Sequence, residues 1–260
     1  MRTARFRQGL MASWSGFILL IVFWQLISSV LITDSSLFPG PVQVMRSTMQ
    51  NLALARLLQH LGISLQRIGL GFAIGAVSGI ILGVTCGWYR TLGSVLRTPI
   101  ELVRPVPPLA WIPLAIIWLG LGESSKVFII FLGAFFPIFT NTYKGMTTIE
   151  PNIIRSAQML GLKGSRLLLR VVVPATLPDI ATGIRVGWSY SFGCMVAAEL
   201  IAAQSGLGYL IMHARELGIT AIIVFGIVLI GLTNLITDYL IQELILKRRL
   251  RWHFLGTEQA

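Results

Sequence analysis

Arg104, Arg185 and Glu199 stand within otherwise apolar stretches of this chain. An ionised group in such surroundings is costly to keep, so each is a candidate for function. A guanidinium is a planar fork of donors that holds an oxyanion through parallel hydrogen bonds. Arg104 runs directly into Pro105, Pro107 and Pro108, where backbone groups freed from helical bonding need a polar surface. Arg185 is followed by Trp188, Ser189, Tyr190 and Ser191, side chains able to line a polar path or simply to pack. A competing reading puts both arginines at the cytoplasmic membrane surface, paired with lipid phosphate, Glu101 or Asp179. Glu199 is suited to pairing with another group or capping backbone donors, because a carboxylate repels an anion.

Other chemistry is missing from the sequence. There is no Gly-x-x-x-x-Gly-Lys-[Ser/Thr] phosphate loop, so any use of ATP calls for a separate subunit that binds ATP and Mg. His60, His213 and His253 are far apart and have no partners at metal-ligand spacing. Cys86 and Cys194 both sit in apolar segments and read as small hydrophobes rather than a disulfide. No nucleophile–base pair or carboxylate pair stands in a catalytic context. An intramembrane enzyme using Glu199 and His213 therefore has little support, and no cofactor is expected in this chain. A stand-alone secondary carrier would show more spans or an inverted repeat.

A polar segment from Glu150 to Pro178 interrupts the apolar chain. It carries Arg155, Lys163, Arg166 and Arg170, and contains Arg155-Ser156-Ala157, then Gly161, then Val171-x-Val173-Pro174. Gly161 is expected to end a helix and reverse the chain, since glycine takes the left-handed backbone without a Cβ clash. Pro174 is expected to block helix continuation and start a new element.

The elements that hold these residues must be membrane spans. The chain is 55% hydrophobic and 12% charged, about half the charged share of a soluble domain. A crossing needs roughly 20 mostly apolar helical residues. Six segments of one domain, residues 1–260, qualify: about 12–32, 64–87, 99–119, 126–142, 178–203 and 220–245. The prolines make the start of the third irregular. A turn at Phe38-Pro39-Gly40-Pro41 leads into a half-polar helical stretch at the outer surface. The net charge of +11 is unevenly placed: fourteen basic residues fall on the side of the termini and the 143–178 loop, against Arg46, Arg56, Lys126 and Arg215 opposite, with Arg67 near them. That bias puts both termini and the loop in the cytoplasm and accounts for the charge without nucleic acid. Gly71, Gly75, Gly79, Gly83 and Gly87 form a stripe at four-residue spacing, which predicts close helix packing within the subunit.

The loop motif resembles the Glu-Ala-Ala…Gly…Ile-x-Leu-Pro signature of ABC importer permeases, with Arg155 where that pattern prefers Glu. Glu101-Leu-Val-Arg-Pro-Val-Pro-Pro-Leu-Ala-Trp-Ile-Pro-Leu114 with Trp118-Leu-Gly-Leu-Gly-Glu-Ser-Ser-Lys126 is similar to the third span and outer turn of taurine and alkanesulfonate importer permeases. Ala197-Ala-Glu-Leu-Ile-Ala-Ala203, Gly206-Leu-Gly-Tyr209 and Ala214-Arg-Glu216 are similar to the same group's fifth span and following loop. The resemblance runs from about Trp24 to Arg251 and implies an all-α fold of six transmembrane helices, type I ABC importer permease-like. It implies a homodimer in the bacterial inner membrane, two cytoplasmic ATPase subunits, and a periplasmic or lipid-anchored binding protein. Arg155, Ser156, Ala157, Gly161, Lys163 and Pro174 would then form the ATPase-coupling element. Taurine or an alkanesulfonate is the implied cargo, with nitrate, bicarbonate or a thiamine precursor as alternatives within the wider group.

Overall fold

The computed structural model describes residues 16, 18–31 and 37–243, and within these the regular structure is helical. α1 (Ile18–Ser29) is a short apolar helix, ending in a π turn at Ile27–Leu31. α2 (Pro41–Asn51) follows the Pro-Gly turn, and α3 (Leu54–Trp88) runs unbroken for 35 residues. α4 (Arg90–Val103) leads through a 3-10 turn at Pro108–Trp111 to α5 (Ile112–Leu119). Then come α6 (Glu123–Thr147), α7 (Pro151–Met159), α8 (Gly164–Leu167), α9 (Val173–Ala202), α10 (Leu207–Glu216) and α11 (Thr220–Ile241). Four helices are long and apolar enough to cross a membrane, or five if the bent α4–α5 pair is one span. The chain is an all-α polytopic membrane protein. The expected first span, 12–32, lies partly outside the described residues, as do both termini.

The core is a three-helix unit of α3, α6 and α9, and the glycine stripe explains its tightness. A Cβ at Gly71, Gly75, Gly79, Gly83 or Gly87 would strike Ile130, Ala134, Ile138, Thr142 or Met146 respectively. Both series advance by four, so α3 and α6 run parallel, each glycine receiving one side chain of its neighbour. In lipid, where burying apolar surface gains little, such close backbone approach supplies dispersion and Cα–H contacts instead. α9 returns antiparallel, with Gly187 and Gly183 against Ile138 and Cys194 against Gly133.

Three boundaries differ from the sequence expectation. α3 starts ten residues early, at Leu54; in the added turns His60 accepts the Gly206 amide, which removes part of the cost that hydropathy assigns to them. The third span begins at Arg90, and its break falls mid-span: the two arms meet at 86° across Arg104–Pro107. Pro174 does not stop the helix, which is continuous over Gly164–Ala202. A π turn at Leu168–Val172 directly precedes Pro174, and such a widened turn accommodates the missing proline N–H without a chain break.

Candidate transport cleft and coupling loop

The α4–α5 bend opens a cleft of about 310 Å³ between the end of α4, the middle of α6 and the middle of α9. Arg104, Phe136, Pro137, Thr140, Asn141 and Tyr190 line it. Phe136 is the fourteenth residue of α6, so by helical rise the cleft lies about 20 Å from that helix's Glu123 end. Arg104 is a similar distance along α4 from Arg90. Pro105 lacks an N–H, and Pro107 and Pro108 prevent the helix from resuming, so Arg104 is held at the mouth of the break. Among the described residues Arg104 makes no ion pair, and no carboxylate lines the cleft. Pro137 adds polarity from the opposite wall. Having no N–H, it leaves the Gly133 carbonyl without its usual helical donor, and the Asn141 amide donates to the Pro137 carbonyl at 2.8 Å.

Of the five residues expected along a pathway, the structure brings Arg104 and Tyr190 together and places the other three elsewhere. Arg185 faces α11 and pairs with Asp238 at 3.2 Å; neither Glu101 nor Asp179 is its partner. The Trp188 Nε1–H donates to Thr237 at 3.0 Å, and its ring sits edge-on to Phe72 and Phe192. Trp188 therefore packs α9 against α3 and α11.

Glu199 is buried near the far end of α9 in an ionic network. It accepts from Ser64 at 2.8 Å, Arg67 at 2.7 Å and the Gly208 amide at 2.8 Å. Arg67 also donates to Glu123 at 2.7 Å and to the Ser205 carbonyl at 2.6 Å, while Lys126 donates to Glu123. Ser64 accepts the Leu207 amide and His60 the Gly206 amide. The network thus ties α3, α6 and the α9–α10 turn together. Gly206, at φ +115°, is required there, since a Cβ would run into the Glu199 carboxylate.

At the opposite end of the core, α7 and α8 form the polar loop. α7 ends in two interlocked bonds, Leu162 N–H to the Ala157 carbonyl at 3.1 Å and Gly161 N–H to the Gln158 carbonyl at 3.0 Å. With Gly161 at φ +85°, this is a Schellman helix stop. Ala157 is buried against Met146, Leu167 and Val172, and this small cluster fixes the loop to the bundle. Arg155, Ser156 and Lys163 stay exposed. Pro174 lies in the first turn of α9, just behind Val172 of that cluster. Sequence reasoning passed over Met159 and Leu160, which are 88% and 84% exposed. Two adjacent apolar residues at the reversal of a basic loop were the available signal.

Residues 79–251 match the family described as binding-protein-dependent transport system inner membrane component. A protein of Methanocaldococcus jannaschii named for an ABC transporter permease is 41% identical over 225 residues, covering 85% of this chain and 84% of its own. The taurine transport system permease protein of Escherichia coli is 38% identical over 242 residues, covering 91% and 87%. A solved structure of the MetNI methionine ABC transporter in inward-facing conformations superposes with a TM-score of 0.52 at 19% identity, covering 76% of this chain and 97% of that one; this likeness concerns the fold alone. The apolar helices, the parallel α3–α6 core and these matches agree: the chain belongs to the binding-protein-dependent inner-membrane components, as an ABC-importer permease subunit related to the nitrate, sulfonate and taurine permeases.

Proposed function

We propose that this permease passes a small anion, taurine or an alkanesulfonate, into the cell. The observation that carries the reading is Arg104, a cation near mid-bundle with no ion-pair partner among the described residues, in a cleft without a carboxylate. A charge so placed is otherwise costly, and its attraction for an anion is strengthened by the low-dielectric wall. The proposed assembly is a homodimer of six-span subunits with cytoplasmic termini, so that two such arginines flank a shared path. A soluble or lipid-anchored binding protein delivers cargo at the Glu199 end. Two cytoplasmic ATPases dock at the α7–α8 loop, where Met159 and Leu160 form an apolar knob beside Arg155 and Lys163. ATP and Mg bind to those partners.

Reconstitution with the ATPase and binding protein in liposomes tests this. ATP-dependent accumulation of labelled taurine or ethanesulfonate, in preference to nitrate, is expected. Accumulation without the ATPase would make the chain a stand-alone carrier, and selective nitrate uptake would reassign the cargo.

A further inference from the structure

Arg90 lies between two cavities at the coupling-loop end of the bundle, neither of which belongs to the cleft at Arg104. One, of about 410 Å³, is half polar in its lining and is bounded by α3, α4 and the end of α6; Arg90, Arg97, Ser94 and Thr147 supply its polar groups. The other, of about 470 Å³, lies along the outer side of α4 and is lined by Trp88, Tyr89, Leu92 and Val95 together with the same Arg90. No carboxylate lines either. Glu101 engages Arg97 only through Nε, at 2.7 Å. Tyr143 also engages that guanidinium, which lies over its ring at 5.5 Å. Arg90 makes no ion pair among the described residues.

We propose that the two cavities form one binding site for an anionic phospholipid, with its phosphate held by Arg90 and Arg97 and an acyl chain laid against Trp88, Leu92 and Val95. Arginine forks match phosphate oxygens in paired hydrogen bonds, and basic pockets between helices on the cytoplasmic side suit anionic headgroups. A simpler role would be to offset the negative ends of α3 and α6. Those ends carry about half a charge each, and the positive start of α4 already counters one of them. Nor would that role account for the apolar groove that continues from the charge. Val95 and Tyr89 are 64% and 59% exposed there. The groove is also what separates a lipid from free phosphate, which shares only the headgroup chemistry.

Trp88 provides a reporter. In nanodiscs holding the permease with its ATPase, tryptophan quenching by brominated phosphatidylglycerol is compared with quenching by brominated phosphatidylcholine. Wild type is expected to bind the anionic lipid more tightly. Each basic residue near an anionic surface contributes about a fivefold preference, so Arg90→Gln with Arg97→Gln removes roughly 25-fold. Arg90→Gln alone removes about fivefold and disturbs no ion pair. Trp88→Phe should abolish the excess quenching. Equal quenching by the two lipids in wild type, or an unchanged preference in Arg90→Gln, overturns the site. Relief of the excess quenching by millimolar inorganic phosphate would overturn the lipid as occupant in favour of a free-phosphate site.

Discussion

At Glu199 the residue type and its surroundings determine each other. A buried carboxylate survives only when its oxygens are filled, and here a guanidinium, a hydroxyl and a backbone amide fill them. Removing one partner of such a pair strands the other and costs about 3–5 kcal/mol. Glu199→Ala is expected at the lower end, because Arg67 keeps Glu123, and should appear as a clear loss of thermal stability in the purified subunit. A loss below about 1 kcal/mol would place the network among weak surface pairs. The sequence marked Glu199 as a group needing partners but could not name them, because Ser64, Arg67 and Glu123 come from separate helices. Arg104 and Arg185 looked alike in sequence, each a lone cation in an apolar run. Asp238, 53 residues on, separates them by satisfying Arg185, a distinction that only the fold supplies.

Among the elements, the α7–α8 loop was the most legible, because helix stops are local. Gly161 takes the left-handed conformation expected of a glycine that ends a helix, and its missing Cβ would meet nothing within 4 Å. The cost of substitution is therefore conformational, about 1–2 kcal/mol for an ordinary residue in that region. Gly161→Val should leave the subunit inserted and weaken ATPase copurification by about tenfold, whereas Gly161→Asn, which tolerates this backbone better, should retain most of it. Equal retention by Val and Asn would mean that the reversal does not set the docking geometry. Pro174 was less legible: proline predicts a break when only i→i−4 bonding is considered, and the π turn before it, which includes Val172 of the loop cluster, has no mark in the sequence. The glycine stripe on α3 was readable as a packing face, but its partner α6 was not, since the matching residues Ile130 to Met146 carry no distinctive periodic signal.

For the whole molecule, hydropathy located the four long apolar helices found among the described residues and missed the bend between α4 and α5. Those two helices lie on either side of a proline run whose effect on direction depends on α6 and α9. The bend makes the cleft, and the cleft contrasts Arg104, without an ion pair among the described residues, with Arg185, which is paired and faces away. The contrast gives the most direct test of the central claim, that an anion passes Arg104. Sulfonate uptake and the yield of assembled complex are measured side by side for Arg104→Gln and Arg185→Gln in the reconstituted transporter. For Arg104→Gln the account predicts uptake reduced by about tenfold or more, the scale of one lost charge-assisted contact, with complex yield and basal ATP hydrolysis retained. Arg185→Gln should change uptake little beyond any change in yield, its exposed pair with Asp238 being worth at most about 1 kcal/mol. Normal sulfonate uptake in Arg104→Gln at normal complex yield would contradict the account.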